Sequence, residues 1–540
     1  MDSHLRPYAD RWVALAGETI AGFGHTPDEA LHMARRNRPK VRLTLQFVDP
    51  DNGTPLLLPE LYHSLRPFLA QTDQPIYLVG GAVRDALLGR LTNDLDFVLP
   101  HNAIKLTFQI ADAMNVPAYV LDRERDTGRI VLPDAHTYLD FARFRGKGLD
   151  EDLQDRDFTI NAMAMPATAT TVESIIDPYD GQTDLKNRRI RLVNDEALQR
   201  DSVRALRAVR LALSLGFDMA EETKTAVAQA APLLKTASIE RIRDEFSKMM
   251  ATAVPDQASQ QMIDLNLADV VIPEIVSLAH IEQSPPHHED VLAHTVAVLR
   301  WLPQVEACLQ AEGIADPGLR DLQEAFIPFA EQLRQHLDRE VDGNINGRIL
   351  LRLGTLFHDV GKASTQTIDE NGRTRFLGHD KVGAEIAGSR LTTLRFSNEA
   401  IKHVEKIVNA HMRPLLLAQM DKSISRRAIF RYFRDTDSAG LDVTLLALAD
   451  HLGTHNGIGE ETDWHKLTQI VSQLLKAYFE QYDVTVAPEL LLNGRFVMQE
   501  LNLKPGPEIG RLLRLLQEAQ AAGEITTRAE AINFIHQTHQ

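Results

Sequence analysis

The feature that most constrains this chain is a short stretch in which two glycines and two aspartates flank a predicted helix. Residues 77–97 read as a strand, a glycine turn at Gly80 and Gly81, a short helix, and a second strand that carries Asp94 and Asp96. Side chains two apart in a strand project to the same face, so the two carboxylates point together. Glycine has no Cβ, and a phosphate chain can therefore approach the two amides closely. The pattern predicts a site for a nucleoside triphosphate with Mg2+, and nucleotidyl transfer is the first functional hypothesis.

Size and composition limit the classes of protein to which the chain can belong. A chain of 540 residues is too long for a single core, and 44% hydrophobic and 25% charged residues are typical of globular domains. Because the net charge is -17, a nucleic-acid enzyme of this composition must gather its basic residues locally. The single cysteine, Cys308, excludes a disulfide framework and a cysteine-rich zinc site, and it fits a cytoplasmic location. Since there is no run of about 18 apolar residues, we expect no membrane span.

The order of strand and helix patterns predicts an α+β multidomain chain. Strands and helices alternate in the first part, and long helical patterns with few strands follow from residue 200 onward. The predicted parts are a small ββα unit at 1–55, an α/β head at 56–199, a helical neck at 200–280, a domain with metal-type residues at 281–460 and a helical tail at 461–540.

Further residues of the predicted head add to the acid pair. Taken alone, most Asp-x-Asp pairs are solvated strand ends, but Arg84 and Asp85 follow the glycines closely and strengthen the functional interpretation. Asp140 lies in a later strand-like run and could close the metal site from a neighbouring strand. Two Mg2+ ions held in this way could activate a 3′-hydroxyl and stabilise the leaving pyrophosphate.

A second dense cluster of polar residues follows at 155–164. Arg156 can bind a phosphate, while Asp157 and Asn161 can hydrogen-bond a ribose or a base edge. The alternative is a capped helix whose apolar residues pack inward. Both interpretations can hold together, because a helix N-terminus also attracts anions.

Residues 200–210 predict one helix with two faces. The apolar residues follow helical spacing and form the core side, whereas Arg200, Arg204 and Arg207 share another face at i, i+4 and i+7. Such a basic stripe is usually solvated. The functional alternative is that Asp201 and Arg204 present hydrogen-bonding edges to an incoming base. A local basic concentration of this kind is what an acidic chain needs in order to bind RNA.

Six motifs occur here in the order seen in the family of class II CCA-adding tRNA nucleotidyltransferases and bacterial poly(A) polymerases. They are residues 80–85, 94–96, 156–162, 177–185, 201–208 and 240–245. The chain resembles this family over residues 60–275, and the resemblance implies a polymerase-β-like nucleotidyltransferase head with a helical neck. It also implies that Asp94 and Asp96 bind metal and that Arg156 and Asp157 contact the ribose.

The same resemblance implies how the base is chosen. In that family the positions of Asp201 and Arg204 select the base by hydrogen bonding, so that the protein serves as its own template. The motif there usually begins with glutamate, whereas this chain has Arg200. The residues predicted to bind the nucleotide are Gly80, Gly81, Arg84, Asp85, Arg156, Asp157, Asn161, Asp201, Arg204 and Arg207.

A second metal-type pattern lies in the later half. Its residues are His294, His358, Asp359, His379, His411 and Asp450. Imidazole and carboxylate together suit Ni, Mn, Co, Fe or Zn, although a lone histidine is more often structural. The motifs resemble the HD domain appended to some bacterial tRNA nucleotidyltransferases, over residues 285–460, which implies metal ligation at these six positions and a phosphohydrolase activity. Lys362 is a candidate phosphate contact, and His287 and His288 are predicted to be loop residues, with assistance to the site as the alternative for either.

These interpretations together predict CCA addition, in which a tRNA 3′-hydroxyl attacks the α-phosphate of CTP or ATP. The expected cofactors are Mg2+ in the head and a divalent transition metal in the HD domain. Alternatives of the same class are a poly(A) polymerase and an enzyme that adds only CC or only A. An alternative of another class is an HD phosphohydrolase whose head merely binds RNA. A non-catalytic RNA-binding protein is disfavoured, because the acids at both sites would repel RNA.

Overall fold

The computed structural model describes residues 5–8, 11–17, 19–37, 41–48, 53–133, 137–310, 317–420 and 423–539. The chain divides into two compact units. One unit comprises residues 1–204 together with 215–227, and the other comprises residues 205–214 together with 228–540.

The strands are short, and those of the head lie in the first unit. In chain order they are β1 (Arg11–Ala16), β2 (Thr19–Gly24), β3 (Thr44–Val48), β4 (Tyr77–Val79), β5 (Asp94–Leu99), β6 (Ala118–Asp122), β7 (Thr127–Val131), β8 (Tyr138–Arg143), β9 (Ala164–Pro166), β10 (Arg189–Ile190), β11 (Asp218–Met219), β12 (Glu340–Asp342), β13 (Ile345–Asn346), β14 (Thr367–Ile368) and β15 (Thr374–Arg375).

The α-helices dominate the chain after residue 200. In chain order they are α1 (Pro27–Asn37), α2 (Glu60–Leu69), α3 (Gly81–Leu87), α4 (Ala103–Met114), α5 (Leu149–Gln154), α6 (Gly181–Lys186), α7 (Ala197–Arg200), α8 (Arg204–Leu215), α9 (Glu221–Ala230), α10 (Ile239–Met250), α11 (Pro255–Asp264), α12 (Ala268–Val271), α13 (Pro273–Val276), α14 (Val291–Ala307), α15 (Arg320–Phe326), α16 (Ala330–Asp338), α17 (Gly347–Phe357), α18 (Lys362–Thr365), α19 (His379–Thr393), α20 (Asn398–Ala410), α21 (Arg413–Ala418), α22 (Arg426–Thr436), α23 (Ala439–His455), α24 (Glu461–Glu480), α25 (Gly494–Glu500), α26 (Pro507–Ala522) and α27 (Arg528–His539).

The first unit contains a mixed sheet of six strands in the order β6-β7-β8-β5-β4-β9. Strands β5 and β8 run parallel, and the other four pairings are antiparallel. The register aligns Arg129, Asp140, Asp96 and Val79 in one row across four strands. Because cross-strand partners share a face of the sheet, these side chains start from the same side.

The opposite side of β5 and β8 forms part of the core. Leu95, Phe97, Leu139 and Phe141 are buried there, and the rings of Phe97 and Phe141 stack with their centroids 4.9 Å apart. The period-two alternation of the strands therefore directs apolar residues inward and leaves the acids on the other face, as the sequence predicts.

The ββα pattern at the N-terminal end is present as β1, β2 and α1. Thr26 caps the helix, since its hydroxyl accepts the Glu29 N–H at 3.2 Å. A third strand, β3, which the sequence patterns did not indicate, pairs with β1 and completes a sheet in the order β2-β1-β3.

The second unit is mainly helical, and its largest core draws on many of these helices. Helix α14 packs along α23, α19 packs along α20, and α17 packs against both α14 and α20. The α+β class, with a mixed sheet in the head and a helical remainder, is thus confirmed. Among the residues that the structure describes, no helix combines the length and the apolar character needed to cross a membrane.

Candidate active site

The acid pair of the head lies at the start of β5, on the polar face of the six-stranded sheet. Asp94 is exposed and Asp96 is half-buried, while Leu95 between them is fully buried. Alternation along one strand therefore places both carboxylates on the side where a substrate could reach them. Two carboxylates alone do not complete the coordination of a metal ion. Such a site suits Mg2+, which also takes oxygen ligands from a substrate.

Gly80 joins the acid pair to the arginine of the second cluster. It connects β4 to α3 with φ +72°, a conformation that favours glycine. A Cβ at this position would lie 2.8 Å from Arg156 Nη1 and 3.8 Å from Asp96 Oδ2. The glycine, the guanidinium and the carboxylate therefore meet at one point, and a side chain at residue 80 would collide with the arginine.

Hydrogen bonds connect the two predicted nucleotide-binding motifs of the head. Arg84 donates to both oxygens of Asp85, at 2.9 and 3.0 Å, and to Asn161 Oδ1 at 2.7 Å. The amide of Asn161 in turn donates to Asp157 Oδ1 at 3.0 Å. The structure thus brings these four residues into one network, in which each side chain is held in a fixed orientation.

Arg156 is held by a residue that the sequence analysis did not single out. Its guanidinium donates twice to Asp152 Oδ2, at 3.0 and 3.1 Å, and the carboxylate of Asp152 is fully buried. A buried carboxylate needs such a partner. The i, i+4 spacing of the two residues was the available signal, but many surface pairs share that spacing.

Asp140, the predicted third ligand, lies beside the acid pair and is bound by Arg129. It is in register with Asp96, but its two oxygens accept hydrogen bonds from Arg129 at 2.6 and 2.7 Å. The hydrogen bond with Asp140 raises the pKa of Arg129, and the charge of Asp94 adds to this shift. Within the described residues, the ligand atoms of Asp94, Asp96 and Asp140 do not all lie within 4.8 Å of one another. Asp140 is thus neutralised by Arg129 in this structure, and its role as a third ligand stays a prediction.

The helix predicted at 200–210 is broken, so the prediction of one continuous helix is wrong. Helix α7 ends at Arg200, and α8 begins at Arg204. Between them the backbone of Asp201 is extended, and its carboxylate accepts the N–H of Val203 at 3.3 Å. Aspartate competes in this way with helical hydrogen bonding, which explains the break.

Arg204 does not belong to an exposed basic stripe. Its side chain is buried, and it donates to the carbonyl oxygens of Asp155 at 2.5 Å, Ala197 at 3.1 Å and Arg156 at 3.4 Å. Burial lowers the pKa of Arg204. These bonds tie the start of α8 to the segment that carries the Arg156 motif.

Arg200 and Arg207 differ from Arg204 in their surroundings. Arg200 pairs with Glu196 at 2.7 Å and with Asp155 at 3.1 Å, whereas Arg207 is exposed. The predicted exposed stripe is therefore not formed, because Arg204 is buried.

The six residues of the second pattern come together in the second unit. Asp359 lies at the centre, with its Oδ2 atom 3.2 Å from His358 Nε2 and 3.7 Å from His294 Nε2. Its Oδ1 atom is 3.4 Å from His379 Nε2 and 3.7 Å from His411 Nε2. Asp450 completes the set, with Oδ1 at 3.1 Å from His294 Nε2. One carboxylate thus faces two groups of imidazoles, one on each oxygen.

The orientation of the imidazoles indicates a cation between them. The Nδ1 atoms of His358, His379 and His411 donate to backbone carbonyl oxygens at 2.7–2.8 Å, so their Nε2 lone pairs face the centre. The Nε2 atoms of His379 and His411 are only 3.2 Å apart. The Nε2 atoms of His294 and His358 are buried and make no hydrogen bond within the described ranges, although carboxylates lie close. Lone pairs that converge without donors fit a metal ion.

The ionisation of the cluster also suits metal binding. Burial, reinforced by His358, lowers the pKa of His411 to about 4, so this imidazole is neutral near pH 7. Burial opposes ionisation of Asp359, but His358 and Lys362 hold the pKa of this carboxyl well below its usual range. The neutral imidazole of His411 and the ionised carboxylate of Asp359 are in forms that bind metals, whereas the pKa of His358, which burial alone would lower, is raised by Asp359.

Lys362 is a close neighbour of this cluster and is engaged within it. Its ammonium group donates to Asp359 Oδ2 and to Gln283 Oε1, both at 2.7 Å. His287 packs edge-on against His294, with ring centroids 4.8 Å apart, and burial lowers the pKa of His287 to about 4. His287 lies in a loop, as the sequence predicts, and its ring also packs against the metal-type cluster.

A third group of potential ligands contains His336, His403 and Asp442. Both histidines place Nε2 2.8 Å from Asp442 Oδ2, and Arg339 donates to their Nδ1 atoms at 2.7 and 3.3 Å. Arginine has no acceptor, so each Nδ1 must carry the lone pair and each Nε2 the proton. A metal at Nε2 would force a proton onto Nδ1, against Arg339. This group is therefore a chain of hydrogen bonds and not a metal site.

Comparison with known proteins gives matches along most of the chain. Residues 76–191 match a family model described as the poly A polymerase head domain. Residues 216–278 match the probable RNA and SrmB-binding site of polymerase A, and residues 374–535 match tRNA nucleotidyltransferase domain 2. The fold and the acid pair thus define a polymerase-β-like nucleotidyltransferase head.

Two similar proteins align over almost their whole length. An A-adding tRNA nucleotidyltransferase from Deinococcus radiodurans is 32% identical over 87% of this chain and 97% of its own. A CC-adding tRNA nucleotidyltransferase from Thermus thermophilus is 32% identical over 86% of this chain and 96% of its own. The chain therefore belongs to the tRNA nucleotidyltransferase family and is an enzyme. The resemblance that the motifs indicate is confirmed for this family, while these matches do not show an HD domain.

Solved structures agree in fold. The Bacillus stearothermophilus CCA-adding enzyme in complex with CTP has a TM-score of 0.55 at 22% identity, over 88% of this chain and 96% of that chain. A CCA-adding enzyme with ATP has a TM-score of 0.56 at 18% identity, over 89% of this chain and 95% of that chain.

Proposed function

We propose that this enzyme adds C and A nucleotides to tRNA 3′ ends, with CTP and ATP as donors and completion of CCA as the leading form of the reaction. The observation that carries the proposal is the meeting of Asp96, Gly80 and Arg156 at the open face of the sheet. Asp94 and Asp96 would hold Mg2+, which when bound activates the 3′-hydroxyl and neutralises the triphosphate. A cytoplasmic location is part of the proposal, since the single cysteine, Cys308, is buried and is not part of a disulfide.

The surrounding residues of the head would position the nucleotide. The glycine at residue 80 leaves room for a phosphate, and Arg156, held by Asp152, offers it a fixed positive charge. The network from Arg84 to Asp157 would orient the ribose, because it fixes each polar edge before the substrate arrives. These roles are proposals that follow from the geometry and from the family resemblance.

The choice of base decides between two candidate reactions, full CCA addition and partial addition. Asp201 and Arg204 are proposed to recognise the base, with Arg207 further along α8. Arg204 is bonded to three backbone carbonyls, so base recognition requires it to release some of them. The near-complete alignment with an A-adding and a CC-adding relative favours partial addition as the second candidate.

Three truncated tRNAs test the proposal. Substrates that end before the first C, after CC and after CCA are incubated with CTP and ATP, separately and together. Full CCA addition predicts that the first tRNA gains three nucleotides only when both donors are present. A CC-adding enzyme extends the first tRNA alone with CTP, and an A-adding enzyme extends only the second with ATP. A long A tail on any RNA would contradict the proposal.

Metal dependence tests whether Asp140 is a ligand or the partner of Arg129. We expect Arg129→Ala to lower the half-saturating Mg2+ concentration for incorporation by about three- to tenfold, because it leaves a third carboxylate unpaired beside Asp96. The double variant Arg129→Ala, Asp140→Asn removes both charges of the pair and should leave that concentration near the wild-type value. A clear rise for the double variant would instead identify Asp140 as a metal ligand.

We further propose that the second cluster is a divalent transition-metal centre of the HD type, held by His294, His358, Asp359, His379, His411 and Asp450. The unbonded Nε2 atoms and the shared Asp359 carboxylate support it. A metal bound there would supply an activated water for phosphate-ester hydrolysis. If hydrolysis were the main activity and the head only bound RNA, Asp94 and Asp96 would be dispensable.

A further inference from the structure

The loop between α13 and α14 lies against the second cluster and is firmly anchored. Its base is closed by the Val291 N–H, which donates to Ile281 O at 3.0 Å. Its middle is fixed by Ser284, whose hydroxyl accepts the Thr374 N–H from β15 at 3.1 Å. Residues 282–290 therefore form a wall of defined conformation beside the cluster.

Gln283, in this wall, has a buried N–H group without a partner among the described residues. Its Oε1 atom accepts from Lys362 Nζ at 2.7 Å, and lysine can only donate, so the orientation of the amide is fixed. The Nε2 atom must then point the other way, where it is buried and makes no hydrogen bond. Lys362 also donates to Asp359 at 2.7 Å, so this amide stands close to the central carboxylate.

His287 presents a second buried polar atom of the same kind. Its ring lies edge-on to His294, and its Nδ1 atom is buried without a hydrogen-bond partner. Two unpartnered buried nitrogens on one short loop are unusual, because buried polar groups are nearly always paired. A single ligand bound beside the cluster would give both nitrogens a hydrogen-bond partner.

We propose that Gln283 Nε2 and His287 Nδ1 bind the phosphate group of a phosphate-ester substrate at the second centre. The inference rests on the proposed metal centre. The N–H group of Gln283 and, in the Nδ1–H tautomer, that of His287 lie beside Lys362 and the proposed metal centre, and donors next to such positive charge favour an oxyanion such as phosphate. The loop thus selects for the phosphate, whereas the six ligands hold the metals.

Phosphate binding by the metal-loaded, full-length protein tests the proposal. Inorganic phosphate and adenosine 5′-monophosphate are titrated calorimetrically into the wild type and into Gln283→Met, His287→Ala and His288→Ala. Gln283→Met removes the N–H donor without adding a charge. We expect Gln283→Met and His287→Ala to weaken phosphate about tenfold or more, the usual effect of losing a hydrogen bond to a charged group. His288→Ala, whose residue is exposed in the same loop, should bind as the wild type does.

The metal content of each variant, measured by mass spectrometry, separates the possible failures. Unchanged phosphate affinity in both loop variants overturns the inference, and so does loss of metal from them, since they would then support the ligands instead. Equal weakening for phosphate and the monophosphate shows that the phosphate group itself is recognised. If His358→Ala retains the metal of the wild type, the metal centre fails independently of the loop.

Discussion

Replacement of Asp94 and Asp96 by asparagine is expected to lower nucleotide incorporation about a thousandfold or more, because a bound metal supplies several kcal/mol of transition-state stabilisation and each 1.4 kcal/mol is tenfold. Asparagine keeps the size of the side chain but removes the charge. Incorporation of labelled CTP or ATP into truncated tRNA measures the effect. The affinity for tRNA, measured by filter binding, should change little.

The control for this experiment is Asp112→Asn. Asp112 is an exposed carboxylate on α4 in the same unit, and its replacement should leave incorporation unchanged. If the double variant at Asp94 and Asp96 keeps more than about a tenth of the wild-type activity, the assignment of the head as the transfer centre is wrong.

Replacement of His358 by alanine is expected to remove the transition metal from the second unit. The side chain is fully buried, and within the described part of the chain its Nε2 atom makes no hydrogen bond, which leaves its lone pair to the metal. Metal content should fall, and the stabilisation by metal should disappear, which amounts to about 4 kcal/mol at a thousandfold excess over Kd. Thermal unfolding with and without added metal measures this loss.

Two further variants guard against a trivial loss of folding. Asp359→Asn keeps the size of the central residue and should also lose metal, whereas His465→Ala, at an exposed position of α24, should keep it. Nucleotide incorporation should stay near the wild-type value in all three. Metal retained by both His358→Ala and Asp359→Asn would contradict the proposed centre.

Local patterns in the sequence were sufficient to predict the features of the fold and the site that depend on a periodicity or a short motif. The alternation of acidic and apolar residues around Leu95 predicted that both acids lie on one face of β5. The structure has the same alternation of exposed and buried side chains. The six residues of the second cluster were found because histidine and aspartate recur in short motifs, although their meeting around Asp359 depends on the packing of several helices.

Other features depend on contacts between distant residues, and local patterns do not encode them. Arg129 pairs with Asp140 because β7 and β8 are neighbours in a particular register, which the sequence does not specify. Arginines at i, i+4 and i+7 fit an exposed stripe as well as buried side chains that bind backbone carbonyls. Helical periodicity therefore did not predict the burial of Arg204. The break at Asp201 depends on a single side-chain hydrogen bond that competes with the helix.

The chain of hydrogen bonds from Arg339 to Asp442 affects how the helical unit can move. Asp442 is fully buried on α23, and its charge reaches Arg339 only through the imidazoles of His336 on α16 and His403 on α20. Sliding of α23 away from α16 and α20 would leave the buried charge of Asp442 without both imidazoles. The helices that carry this chain should therefore shift as a single rigid body, and any flexibility within the unit must be located elsewhere.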